Sequence, residues 1–192
     1  FKATTSNQQI IRECDLIYTL VPTPSLEDGS YDVSAVWKVV EDFKQEMKLA
    51  NYPKNFIVGC TTNPGDCELF RKELPQSVSV YYNPEFIAQG SIVRDLRKAD
   101  MVLLGYSPSN SEYEKTISEI EELYKKIQTT RAIVCVMSNT SAEITKIALN
   151  CFLTTKISYA NMLGDVLRNA GCGDEIPTVL SAIGTDSRVK VS

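Results

Sequence analysis

The chain contains no histidine, which removes the side chain that most often serves as general base or metal ligand near neutral pH. Chemistry must therefore rest on Glu, Lys, Thr, Asn, Asp or a thiol. One carboxylate stands out: Glu85 in NPEFIAQG, residues 83–90, directly after the strand-like run SVSVYY. An ionised group at the end of a buried strand is costly without a partner. Candidate partners lie downstream in SAEITKIALNCFLTTKISYANML, where Lys146 and Asn150 are four apart and Asn161 is a further eleven on. On a helix those spacings put an ammonium and two amides on one stripe, and amides within so apolar a run need hydrogen-bond partners.

The six cysteines, Cys14, Cys60, Cys67, Cys135, Cys151 and Cys172, form no CxxC pair, and several sit in apolar runs. There a reduced thiol packs as a small hydrophobe, so neither a disulfide framework nor a metal site is expected. Cys172 in GCGD reads as part of a turn rather than as a nucleophile.

Positioning these groups requires a scaffold, and its pattern is regular between residues 14 and 137. Strand-like CDLIYTLVP, NFIVGCTT, SVSVYY, MVLLGY and AIVCVM alternate with the helical stretches SAVWKVVEDFKQEMKLA, CELFRKEL and SEYEKTISEIEELYKKI. Near-continuous apolar strands between amphipathic helices indicate a parallel sheet covered on both faces. Ligands of such sheets bind beyond the carboxyl ends of the strands. The segments there are VPTPS (21–25), CTTNPGD (60–66) and NPEFIAQG.

From residue 138 the pattern changes. Thr140 and Glu143 in TSAE read as a capping box, and an apolar periodicity then runs to Ala170, with Gly171 as a natural stop. One helix of about thirty residues, roughly 45 Å long, is expected. Such a helix links domains or packs against its copy, so a homodimer through 140–170 is expected.

Composition bounds the partners. Hydrophobic residues are 43%, charged residues 23% and the net charge is −4, which offers no basic footprint for nucleic acid. No apolar run reaches the ~18–20 residues of a membrane span, and no signal-peptide pattern is present. A cytoplasmic protein without nucleic-acid or membrane partners is expected. The lone G-x-G, Gly171-Cys172-Gly173, follows a helix instead of opening one, so it is a helix stop and not a phosphate cradle. Either no dinucleotide binds or the opening unit lies outside this chain.

In order, VPTPSLEDGSYDVS, CTTNPG, NPEFIAQGSIVRDL, SAEITKIALNCFLTTKISYAN and IGTDSRV resemble the UDP-glucose/GDP-mannose dehydrogenase family. The resemblance implies an α/β fold: residues 1–137 as the C-terminal part of a Rossmann-type NAD domain, and 138–192 as the start of an all-helical central dimerisation domain. The chain would then be an internal fragment. The implied activity is oxidation of the C6 alcohol of a nucleotide sugar to a uronic acid with two NAD⁺, through a thiol-bound intermediate. Glu85 matches the family's general acid/base, Thr61 the threonine that positions water, and Lys146 and Asn150 the pair that stabilises the oxyanion, a kind of donor worth ~3 kcal/mol each. Val21, Thr23, Pro24 and Thr61 would line the NAD site. Phe86 and Gln89 would join the substrate contacts, with Arg188 reaching substrate from the neighbouring subunit.

Three departures accompany the resemblance. Gln89 stands where many members have a second glutamate, Cys60 and Asn63 replace the usual Ser and Pro, and none of the six cysteines matches the family nucleophile. The fragment by itself is therefore expected to be inactive. Two other readings were weighed: a non-catalytic oligomerisation or regulatory module built on the same sheet, and an NADP-linked hydroxyacid or 6-phosphogluconate-type dehydrogenase. Against the latter, NPEF and VPTP are not its motifs.

Overall fold

The computed structural model describes residues 2–48, 52–87, 90–108, 110 and 112–189. It forms two compact units, residues 1–146 and 147–192.

In the first unit, strands β1 (Leu16–Thr19), β2 (Lys54–Val58), β3 (Val78–Tyr82), β4 (Met101–Tyr106) and β5 (Ile133–Ser138) form one sheet in sequence order. Within it β1, β2 and β3 are mutually parallel, with Tyr18 opposite Ile57 and Ile57 opposite Tyr81. Both faces are covered over β2 to β4, whereas Ile133, Val134 and Val136 of β5 are exposed despite its apolar run. Phe56, Val58, Val80 and Tyr82 pack with Val36, Val40 and Phe43 of α2 (Ser34–Met47) and Phe70 of α3 (Asp66–Glu73). Ile57, Tyr81, Val102 and Leu104 pack on the other face with Ile117 and Ile120 of α5 (Tyr113–Ile127). The buried positions of α2, Val36, Val40, Phe43 and Met47, follow the helical spacing that makes one apolar stripe. Two short helices, α1 (Asn7–Glu13) and α4 (Ile92–Arg97), went unread in the sequence.

The all-parallel expectation fails at one pairing. Strand β4 runs antiparallel to β3, with Tyr81 opposite Tyr106 and Tyr82 opposite Gly105, while β5 is again parallel to β4. A strand buried on both faces carries the same apolar run in either direction, so MVLLGY gave no sign of the reversal. Gly105 is what lets the strand approach here: a Cβ on it would lie 2.8 Å from Asn139 Oδ1 and 3.0 Å from Tyr82 Cβ.

The long helix α6 spans Asn139–Asn169. Its start is not the expected capping box. Ser138 Oγ accepts the Ser141 N–H at 3.3 Å, and Glu143 turns away from the helix start toward α3. The Asn139 amide donates to Val80 O at 3.1 Å, which ties this end of the helix to β3.

In the second unit α6 ends at Gly171, whose φ is +78°. Cys172 N donates to Leu167 O and Gly171 N to Arg168 O, the Schellman pattern in which glycine takes the left-handed position. Helix α7 (Ile176–Thr185) follows, with Pro177 in its first turn. Among the described residues no helix is long and apolar enough to cross a membrane.

Candidate functional site

Because β1, β2 and β3 are parallel, the three polar segments that follow them emerge at one edge of the sheet. Val21, Pro22 and Thr23 after β1, Cys60 and Thr61 after β2, Glu85 and Ile87 after β3, and Lys146 from α6 line a cavity of about 290 Å³. A larger concavity of about 840 Å³ lies beside Arg131, Thr129 and Ile133, against the start of β5 and away from these loops.

Two side chains hold the loops in place. Asn83 is buried. Its Oδ1 accepts from Tyr18 and Tyr124 hydroxyls at 3.2 and 2.9 Å, and its Nδ2 donates to Leu103 O at 3.0 Å. That one amide ties the end of β3 to β1, β4 and α5, satisfying polar groups that would otherwise be stranded in the core. Asn63 bonds both backbone groups of Tyr31, accepting its N–H at 2.8 Å and donating to its C=O at 3.0 Å. It thereby fixes the loop of residues 21–33, which is folded on an antiparallel bridge between Ser25 and Tyr31. Pro24 is exposed and does not line the cavity; its carbonyl accepts from Asp32 N.

The expected burial of the Glu85 carboxylate is corrected. The Glu85 side chain is exposed, since the turn's burial demand is met by Asn83. The contact runs through the backbone instead: Lys146 Nζ donates to Glu85 O, and the ammonium stands 4.4 Å from the centroid of the Phe86 ring. Lys146 is only 9% exposed and makes no salt bridge among the described residues. Burial pulls its pKa below the ordinary lysine value, and the nearby Glu85 charge pulls partly back.

The buried carboxylate of the site is Glu143, fully enclosed at the first turns of α6. Its Oε1 accepts from Thr62 Oγ1 and Cys67 N, both at 2.9 Å, and its Oε2 accepts from Gly65 N at 2.6 Å. Burial pushes its pKa up, against the pull of these donors. Sequence reasoning missed this role because TSAE satisfies a local pattern equally well. The remaining wall residue of interest, Cys60, is buried, and burial raises its thiol pKa, so it stays protonated and poorly nucleophilic. Among the described residues no cluster of His, Cys, Asp or Glu is arranged to hold a metal ion.

Gln89 lies outside the described residues. Asn150 and Asn161 belong to the second unit and are exposed, so neither amide needs the buried partner foreseen for it. Arg188, also in that unit, pairs with Asp186 at 2.6 Å.

The cavity suits one end of a dinucleotide. Val21, Pro22 and Ile87 offer apolar wall, and Thr23 and Thr61 offer hydroxyls beside the Lys146 ammonium. At the end of β2, Gly59 lies close to the end of β1: a Cβ there would stand 3.3 Å from Thr19 O.

Comparison with known proteins shows what the chain is similar to. Residues 1–128 match the model of the UDP-glucose/GDP-mannose dehydrogenase family, NAD binding domain, and residues 140–192 match the same family's central domain. Protein MJ1054 of Methanocaldococcus jannaschii is 30% identical over 186 residues, covering 96% of this chain and 20% of its own length. A UDP-glucose 6-dehydrogenase of Pseudomonas aeruginosa is 30% identical over 196 residues, covering 97% of this chain and 41% of the relative. The solved UDP-glucose dehydrogenase of Pyrobaculum islandicum superposes with a TM-score of 0.82 at 28% identity, over 96% of this chain and 42% of that one. The chain thus spans from a fifth to about two fifths of the length of these relatives.

Proposed function

The chain belongs to the UDP-glucose/GDP-mannose dehydrogenase family, with NAD as the cofactor of its first domain, and we propose that the protein carrying it oxidises the C6 alcohol of a nucleotide sugar to the uronic acid. The observation that carries this is Lys146: a nearly buried ammonium without an ionic partner among the described residues, facing a cavity that Thr61 and Thr23 also line. A desolvated cation held on a carbonyl and a ring face is expensive as a purely structural element. It is useful where negative charge develops on a reacting oxygen.

The balance of the reaction is R–CH₂OH + 2 NAD⁺ + H₂O → R–COO⁻ + 2 NADH + 3 H⁺. Bound NAD supplies the hydride acceptor. Val21, Thr23 and Thr61 would hold its reactive end, with Pro24 shaping the loop. Lys146 would hold the substrate oxygen and stabilise the charge it gains. Thr61 would orient the water that provides the second carboxylate oxygen, and Glu85, exposed at the rim, would take up protons and pass them to solvent. Asn150, Phe86, Gln89 and Arg188 enter this reading through the family motifs. The exposed apolar residues Phe152, Leu153, Ile157, Tyr159, Met162 and Val166 of α6 support a homodimer seam, and a cytoplasmic setting is part of the same reading.

The non-catalytic alternative loses its counter-argument from Glu85, which is exposed, and is instead opposed by Lys146. The test is NADH formation by the full protein with UDP-glucose, GDP-mannose and UDP-N-acetylhexosamines, against 6-phosphogluconate and 3-hydroxyacids. Two NADH formed per sugar oxidised is the expected result. Absence of NADH with every nucleotide sugar would overturn the proposal.

A further inference from the structure

We propose that Glu143 is a positioning residue that fixes the Thr61 loop and the start of α6 as one piece, and so sets where the Lys146 ammonium stands. Its carboxylate receives Thr62 Oγ1, Gly65 N and Cys67 N, three groups of the segment that begins with Thr61. It lies three residues before Lys146, on the same side of α6 by helical spacing. Pinning the Glu143 side chain therefore fixes the height and rotation of the turn from which Lys146 projects. The same three bonds fix the backbone next to Thr61. Two walls of the cavity are thus referred to a single buried group. The inference rests on the function proposed above for what those walls do.

The plain alternative is that Glu143 only caps α3. Helix caps are ordinarily local, from Ser, Thr, Asp or Asn at the N-cap position. Here that position is Gly65, with φ of +97° and no side chain to offer. Capping is supplied from 78 residues downstream instead, at the cost of burying a carboxylate. A serine in the loop would cap α3 without that cost but would not join the Thr61 loop to the turn that precedes Lys146; Asn139 ties only the first residue of α6, to Val80 O and Glu68. The long-range arrangement differs from the cheap one only in what it does to α6.

The donors also define the test. Glutamine at 143 presents an NH₂ in place of one oxygen, which then opposes either the Gly65 or the Cys67 N–H. Lys146 acylation by an amine-reactive ester, followed by peptide mass spectrometry on the full protein, reads its placement independently of turnover. Glu143→Gln is expected to raise the labelling rate about fivefold or more, and Thr62→Val to raise it about twofold, as tethered burial is lost. Val40→Ala, a core change in α2 that lowers stability without touching the tether, is expected to leave labelling unchanged. In turnover with UDP-glucose and NAD, Glu143→Gln should lower kcat about tenfold or more with either KM changed less than about threefold, and should add less than about twofold in a Lys146→Ala background.

Unchanged labelling in both tether variants, labelling in Val40→Ala raised as much as in the tether variants, or effects of Glu143→Gln and Lys146→Ala that simply multiply would overturn the inference. Should Glu143→Gln fail to fold, Thr62→Val decides alone. A wild-type protein that does not oxidise UDP-glucose refutes the function proposed for that sugar and leaves the labelling result to judge Glu143.

Discussion

Replacing Lys146 by methionine is expected to stabilise the first unit while it removes activity. Methionine nearly matches the length of the lysine stem and keeps its packing against Phe86. Lys146 as a whole residue is 9% exposed, and taking its ion largely out of water costs several kcal/mol after relaxation. Against that stand one hydrogen bond from a charged donor to Glu85 O, worth about 1.5–3 kcal/mol, and the cation–π contact with Phe86, worth about 1–2 kcal/mol when partly desolvated. The difference leaves a gain of about 1 kcal/mol for methionine, or about 2–4 °C in Tm for a unit of this size. The pH dependence gives a second check. Burial holds the folded pKa of Lys146 below its ordinary value of 10.5, so between those two pH values the unfolded chain retains a proton that the folded chain has lost. Wild-type stability therefore rises with pH across that window relative to the variant. Methionine's advantage is full below the window and shrinks as pH approaches 10.5. Urea unfolding at about pH 7 and about pH 10, read as midpoint at constant m-value, measures both. A Lys146→Met protein less stable than wild type near neutrality would refute the reasoning, because the ammonium's contacts would then outweigh its desolvation.

Glu85→Gln removes the charge that holds the Lys146 pKa up. The alkaline limb of the kcat–pH profile should then move to lower pH, and an unmoved or upward-shifted limb would show that the two groups do not sense each other. Gly105→Ala places a Cβ 2.8 Å from Asn139 Oδ1 and 3.0 Å from both Asn139 Cα and Tyr82 Cβ, so the junction of β3, β4 and α6 must spread. A loss of about 1–3 kcal/mol is expected, read as a lower urea midpoint; an unchanged midpoint would mean that the junction yields freely.

The parts of this fold that were legible in the sequence are those with a local period. Helix α6 announced itself by its apolar spacing and by Gly171, and β1 to β3 by apolar runs that end in Pro, Thr and Asn. Those ends, the spacing along α6 and the family motifs together pointed to Val21, Thr23, Thr61, Glu85 and Lys146, which line one cavity. Partners far apart along the chain were not legible. Asn83 reads as a turn residue, yet its work is done by Tyr18, Leu103 and Tyr124. Glu143 reads as a local cap because the three-residue spacing from Thr140 satisfies one, and nothing in TSAE points to Gly65. The direction of β4 escaped for the same reason, since an apolar run has no arrow.

The two carboxylates of the site divide its work by what surrounds them. A general base must offer a lone pair to substrate or water and then return its proton to solvent. Glu143 has both oxygens committed to Thr62, Gly65 and Cys67 and is sealed from water, so protonating it would break the donors' match and unseat the loop. Glu85 is anchored by its backbone, through Gly59 O and Lys146 Nζ, while its side chain is left at the exposed rim. In the proposed reaction the fixed carboxylate is therefore Glu143, and the one free to exchange protons would be Glu85. The opposite assignment would require the cavity to come apart in every cycle.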